Sequence, residues 1–299
     1  VDAHLHGILV VDKPPGPTSF DVVRRVRSLL RIPKVGHTGT LDPAATGVLP
    51  LCLGDATRVA GYVTERDKAY EAVVRLGEET DTQDATGKVT ASAPVPGLGT
   101  EVLEAALDRF RGTFLQVPPM YSAVKVQGKR LYELAREGKE VERAARQVTV
   151  HQLRCVDRSE RELRLVVHCS KGFFVRTLAH ELGRVLGCGA HLSALRRTRS
   201  GPFTLAQALP LQQLEQLARE APAELSKRLV PVEEALSELP EVRVDAAGAE
   251  RVSHGVPLEG FSQFEGQGKL RVTGPGGKLL AVAEVDGARL RYARVLAAP

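Results

Sequence analysis

One stretch of this 299-residue chain has no ordinary place on a protein surface. Between Val35 and Leu53 it holds three glycines, three threonines and two prolines, with a single formally charged side chain, Asp42. Glycine and proline at that density argue for a loop. The apolar remainder argues against a simple solvated linker. The fold must therefore shelter this loop, and an acid inside it needs a cation to stay ionised. An Asp before Pro is most often a turn former or a helix cap. Here the flanking glycines would let backbone approach a ligand closely. Arg176, just after a strand and the Ser170-Lys171-Gly172 loop, is the candidate partner.

The surrounding pattern is mixed α/β. Gly7 to Val11 reads as a short buried strand, stopped by the turn run Lys13-Pro14-Pro15-Gly16-Pro17. Thr18 and Asp21 have the spacing of a capping box, and Val22, Val23, Val26, Leu29 and Leu30 follow at helical spacing until Pro33. Lys68 to Leu76 alternates as a strand, with Tyr70, Ala72, Val74 and Leu76 on one face. Thr80 to Gly87 is turn-like, and Thr100 to Phe110 is helical. Leu163 to Cys169 is another strand, and Phe173 to Gly187 an amphipathic helix closed by glycine. At this length two domains are expected. From Leu239 short β-like runs at 270–273, 279–285 and 290–296 lie between glycine-rich turns, so residues 239–299 are expected to form a small β-rich domain after residues 1–238.

Several chemistries drop out. The chain has neither G-x-x-x-x-G-K-[ST] nor G-x-G-x-x-G, so no nucleotide-phosphate cradle is indicated. His180-Glu181 has Arg184 where a zincin would need histidine, and no G-x-S-x-G occurs. Cys52, Cys155, Cys169 and Cys188 lie far apart, which suits reduced cytoplasmic thiols better than zinc or disulfides. The near-terminal His4 and His6 are given no role. Val1 to Val11 does not have the pattern of a signal peptide. No apolar run approaches the ~20 residues of a membrane span.

The residues that survive this sieve resemble one family. Gly36-His37-Thr38-Gly39-Thr40-Leu41-Asp42-Pro43, continued by Ala45-Thr46-Gly47-Val48-Leu49, is similar to the signature of the TruB family of pseudouridine synthases. Lys13-Pro14 with Gly16, Thr18 and Ser19 resembles that family's first motif, and Asp67-Lys68-x-Tyr70 its tyrosine motif. Thr80-Asp81-Thr82-x-Asp84-x-x-Gly87 and Pro118-Pro119-Met120-Tyr121-Ser122-Ala123-x-Lys125 fit the following segments. Cys169-Ser170-Lys171-Gly172-x-x-Val175-Arg176-Thr177 resembles the arginine motif, and Gly187-x-Gly189-Ala190-x-Leu192-x-x-Leu195-Arg196-Arg197 the next one. The motifs run in the family's order across about residues 8–200.

The resemblance implies a bacterial-type enzyme that converts uridine 55, in the T-loop of tRNA, to pseudouridine. It implies a pseudouridine-synthase fold around a mixed, mainly antiparallel sheet, followed by a PUA-like β-barrel that binds RNA. It further implies no metal or cofactor, a T-arm stem-loop as partner, no obligatory protein partner, and a monomer that also assists tRNA folding. By resemblance Asp42 is the catalytic carboxylate acting on a flipped-out nucleotide. Attack on the sugar, attack on the base and removal of a ribose proton all need it ionised. Arg176 would pair with it, Tyr70 would stack on the target base, and Leu195 would wall the uracil. His37 would lie near the flipped nucleotides, and Lys13 and Pro14 would brace the active-site loop. Asp81 and Asp84 read equally as contacts to RNA sugar or base and as a plain polar turn. Phe174 stands where the family usually has Tyr, so a ring remains and a hydroxyl is lost.

Charge placement adds the RNA side. The net charge is only +5. Residues 13–37 hold six Lys/Arg against one acid, residues 171–199 six against one, and residues 125–146 seven against four. Those segments thus carry +13, leaving −8 for the rest of the chain. They bracket the Asp42 loop and the Arg176 motif and are expected to track phosphates. Residues 125–146 are read as an RNA-contacting insertion. Lys13, Lys125, Lys171, Arg196 and Arg197 are, with His37, the candidate RNA contacts. The absence of Trp, with only five Tyr and eight Phe, excludes a broad stacking surface for a long single strand. Two other readings are a tRNA-folding binder with catalysis secondary, and the related guide-RNA-dependent branch that works with partner proteins.

Overall fold

The computed structural model describes residues 5–296. His4, and with it the first part of the Val1–Val11 stretch, lies outside them. The main body is a ten-stranded mixed sheet. Its central path runs Leu209–Pro210, Gly7–Lys13, Thr46–Leu53, Ala190–Ser200, Lys68–Leu76, Glu162–Cys169, Arg146–Arg158 and Gly112–Gln116. The first pair is parallel, as is the pair Thr46–Leu53 and Ala190–Ser200. The other pairings along this path are antiparallel, so the expected mainly antiparallel sheet is what forms.

Gly7–Lys13 lies in the sheet interior and is buried on both faces. Leu9 and Val11 join one cluster with Val22, Val26, Leu49 and Leu51. Ile8 and Val10 join another with Val48, Cys52 and Phe203. Two-sided burial explains the unbroken apolar run. The helix Ser19–Leu30 then covers the first of those faces. Its capping box is formed as expected: the Asp21 N–H donates to Thr18 Oγ1 (3.0 Å), and the Thr18 N–H to the Asp21 carboxylate (3.0 Å).

The Val35–Leu53 segment is not one loop. Val35–His37 and Thr46–Leu53 are strands, and only residues 38–45 are irregular. Pro50 concealed the longer strand, because proline lacks a ladder donor. It sits opposite Val10, and its carbonyl accepts the Thr38 N–H (3.1 Å). Two long strands, Arg146–Arg158 and Ala190–Ser200, had no clear alternation to announce them. Both carry register shifts, which move side chains off strict period two.

The helix Val175–Val185 packs against Ala190–Ser200. A Cβ on Gly183 would stand 2.1 Å from the Ala190 nitrogen, so glycine is what permits this approach. Residues 125–146 form a small hairpin and the helix Leu131–Arg136, anchored by buried Leu131 and Leu134. The four cysteines are free thiols. Among the described residues no helix is long and apolar enough to cross a membrane.

Glu241–Arg243, Leu270–Thr273, Leu279–Asp286 and Arg289–Val295 make a separate four-stranded sheet in that order. Val242, Val252, Leu270, Val272, Ala281 and Leu290 give it its own core. Leu279 and Val282, from the same sheet, belong instead to the cluster of Ile8 and Val10.

Candidate active site

Residues 38–45 are held from below by three side chains. Ser19 Oγ donates to the Leu41 carbonyl (3.0 Å) and accepts its N–H (2.8 Å). Lys13 is wholly buried, and its ammonium donates to the carbonyls of Pro14 (3.0 Å), Pro43 (3.0 Å) and Ala45 (2.7 Å). Arg197 is 1% exposed and donates through Nε to Val48 (2.7 Å), Nη1 to Thr40 (3.3 Å) and Nη2 to Gly39 (3.1 Å). Lys13 and Arg197 therefore brace the loop from inside. As candidate RNA contacts, both have these donors turned to backbone carbonyls of the loop and its flanks.

Asp42 emerges from this braced loop facing Arg176. Nε of Arg176 lies 2.9 Å from Asp42 Oδ2. Its Nη atoms donate to the Thr82 carbonyl (3.2 Å) and the Tyr121 carbonyl (2.7 Å), and Nη1 lies 3.7 Å from Asp84 Oδ2. Asp84 is itself fixed, accepting from the Thr82 hydroxyl (2.8 Å) and the Thr86 N–H (2.9 Å). The Thr80–Gly87 turn thus orients the arginine that orients Asp42, a part the sequence reading left open between RNA contact and plain turn. Burial pushes the Asp42 carboxyl above its usual range, Arg176 pulls it down, Asp84 pushes it up and Lys13 pulls it down.

A cleft of about 640 Å³ opens above this pair. Its lining includes Asp42, Tyr70, Phe174, Arg176, Leu195 and Arg197. Lys125 and Lys171 stand on its wall, and Lys171 pairs with Glu65. Tyr70 lies beside Arg197 in the sheet register, and Leu195 lies beside Ala72. Burial pushes the Tyr70 hydroxyl up to about 12, with Arg197 pulling the other way. Phe174 is fixed by its backbone: its N–H donates to Gln116 Oε1 (2.8 Å), and its carbonyl accepts from Gln116 Nε2 (3.1 Å). Gln116 received no role from sequence, having no motif to mark it.

Three sequence candidates sit outside that lining: Lys13 beneath the loop, His37 and Arg196. His37 accepts the Gly39 N–H at Nδ1 (3.3 Å), and burial, then Arg197, lowers its pKa. Arg196 holds Asp12 in a two-pronged pair (3.2 and 2.8 Å) and lines a neighbouring groove. Lys68 belongs to the tyrosine motif, and sequence assigns it no part. It is buried, donates to the Thr64 carbonyl (2.5 Å) and the Arg66 carbonyl, and burial lowers its pKa to about 8. Among the described residues no group of three or more His, Cys, Asp or Glu could hold a metal ion.

A buried cation holding one carboxylate at the floor of a half-apolar cleft is an arrangement for proton or nucleophile chemistry on a bound organic ring. Comparison with known proteins narrows this. The fold matches a chain in the crystal structure of a Cbf5-Nop10-Gar1 complex, with a TM-score of 0.78 at 27% identity over 98% of this chain and 86% of that one. Residues 27–175 match the model of the N-terminal domain of TruB family pseudouridylate synthases, and residues 176–237 the tRNA pseudouridylate synthase B C-terminal domain. The protein is thus an enzyme of the pseudouridylate synthase class, an isomerase with a mixed α/β pseudouridine-synthase fold. A tRNA pseudouridine synthase B of Aeromonas salmonicida is 46% identical over 94% of this chain and 90% of its own length. One of Symbiobacterium thermophilum is 52% identical over 85% of this chain and 83% of its own. The chain belongs to the TruB family.

Proposed function

We propose that this chain acts on tRNA, converting uridine 55 of the T-loop to pseudouridine with Asp42 as the catalytic carboxylate. The observation that carries this is the Asp42–Arg176 pair on the floor of a cleft that also presents Tyr70 and Leu195. The reaction breaks the bond from ribose C1′ to uracil N1 and joins C1′ to C5; the C5 proton is lost and N1 gains one, so the product is an isomer of the substrate. Nothing external is consumed, which agrees with a site built from a carboxylate, an arginine and apolar walls. The target base must leave its stack to reach Asp42. Tyr70 then stacks on it, Leu195 and Phe174 pack at its edges, and His37 lies near the space it vacates.

Domains 1–238 and 239–299 divide the work in this reading. The first holds the cleft, and the second, a PUA-like module, holds RNA beyond it. Lys125, Lys171 and Arg196, on the rim and in the adjoining groove, meet phosphates of the T-arm, and residues 125–146 close over it. The chain acts as a cytoplasmic monomer without a protein partner, and its grip on the T-arm also assists tRNA folding.

The test is the purified single chain on an unmodified T-arm hairpin, with the modified nucleotide mapped. Pseudouridine at the T-loop position is the expected product. No product from the hairpin, with activity restored only by a guide RNA and partner proteins, would move the chain to the guide-dependent branch.

A further inference from the structure

Arg197 is an unusual arginine for an RNA-modifying surface. It stands in mid-strand in Ala190–Ser200, opposite Gly47 on one side and Tyr70 on the other. A Cβ on Gly47 would stand 2.2 Å from the Arg197 carbonyl oxygen, so no side chain separates the two strands there. The backbone of Arg197 is thereby fixed, and its guanidinium reaches into the 38–45 loop. Each of its three nitrogens donates to a different carbonyl: Val48, Thr40 and Gly39. Gly39 adopts φ +140°, a conformation that aims its carbonyl where ordinary residues rarely can. Tyr70 is the cross-strand neighbour of Arg197, and the guanidinium's charge pulls the pKa values of Tyr70, Lys13, His37 and Lys68 downward.

We infer that Arg197 is a positioning residue of the isomerisation, fixing the loop that presents Asp42 and the Tyr70 hydroxyl against one another across the cleft. The inference rests on the proposed reaction in this cleft. Arg197 borders the cleft but is 1% exposed, and in this role it acts through the loop rather than on the substrate. It ties the two residues before Leu41-Asp42 to the strand that neighbours Tyr70, so Asp42 and Tyr70 share one fixed reference. The carbonyls need a planar donor with three separate directions, which lysine lacks.

The test compares wild type, Arg197→Gln and Arg197→Lys on the unmodified T-arm hairpin, in single-turnover rate, KM, hairpin Kd and the salt dependence of Kd. Displacing a reacting group by about 1 Å costs on the order of 100-fold in rate, and that loss is expected in both variants. KM and Kd are expected to stay within about threefold, because lost positioning falls on the chemical step. The salt slope is expected to be that of wild type. A slope lower by about one, with weaker binding and intact rate, makes Arg197 a phosphate contact and overturns the inference. A wild-type rate in either variant also overturns it. If Arg197→Gln fails to fold by circular dichroism, Arg197→Lys, which keeps the charge, carries the comparison. A wild type inactive on the hairpin counts against the proposed reaction rather than against Arg197.

Discussion

One guanidinium, that of Arg176, reaches two carboxylates: Nε lies 2.9 Å from Asp42 and Nη1 lies 3.7 Å from Asp84. The cation is 5% exposed, and two backbone carbonyls take its remaining reach. Asp42 therefore meets a charge whose position is set by the Thr80–Gly87 turn and by Tyr121, not by solvent. Such a pair is less screened than a surface one.

This predicts the acid limb of the pH–rate profile. Burial raises the Asp42 pKa and Arg176 lowers it. In the proposed reaction Asp42 acts in its ionised form, so the rate is expected to fall as pH drops through that pKa. In Arg176→Met the lowering partner is gone while burial stays. The acid limb is expected to move upward by about one to three pH units. Single-turnover rates between pH 4 and 9 read this directly, and an unmoved limb would show that Arg176 does not tune Asp42.

Asp42→Asn keeps the size of the side chain and removes its charge. The rate is expected to fall by more than about 1,000-fold, as when a group that makes or breaks the covalent bond is lost. Hairpin affinity should survive, since Asp42 contributes no cation to the phosphates. A filter-binding Kd alongside the rate separates the two.

Lys13→Met should act on stability first. Three carbonyls lose one donor that is buried in every direction. A loss of about 2 kcal/mol or more is expected from stranded buried acceptors. Urea denaturation measures it. The salt slope of RNA binding should not change, because the ammonium has no exposed surface to offer a phosphate.

Gly47→Ala combines two penalties. The residue holds φ +101°, and the new methyl would meet the Arg197 carbonyl at 2.2 Å. A loss of more than about 3 kcal/mol is expected, in the range reserved for backbone strain and overpacking. A melting temperature near wild type would mean that the two strands can part without cost.

Phe174→Tyr restores the hydroxyl that the family usually has there. The Phe174 backbone is already clamped by Gln116, so the ring's place does not depend on a hydroxyl. The rate is expected to change by less than about threefold, the size of a single solvent-exposed hydrogen bond. A tenfold gain would show that the hydroxyl contributes to the transition state.

The Asp42–Arg176 pair was legible because both residues lie in motifs with a recognisable order, and a sheltered acid requires a cation. The Ser19–Leu30 helix and the Lys68–Leu76 strand were legible because local periodicity and caps decide them. Thr46–Leu53 was not, because two-sided burial and Pro50 erase the alternation that marks a strand. Arg197 reads in sequence only as a candidate RNA contact, and Lys13 as both loop brace and RNA contact, because sequence reports charge and not where donors are spent. Asp84 was left undecided because its partner, Arg176, is 92 residues away and only the fold brings them together.

The cluster that holds Ile8 and Val10 is completed by Leu279 and Val282. The earliest strand of the chain thus shares a core with one of the last. During synthesis at roughly 10 residues per second, that face waits on the order of half a minute for its final cover. Until then the nascent chain carries an apolar strand whose covering is incomplete. The C-terminal sheet, whatever it does for RNA, thus also supplies the last apolar cover of a strand made about 270 residues earlier.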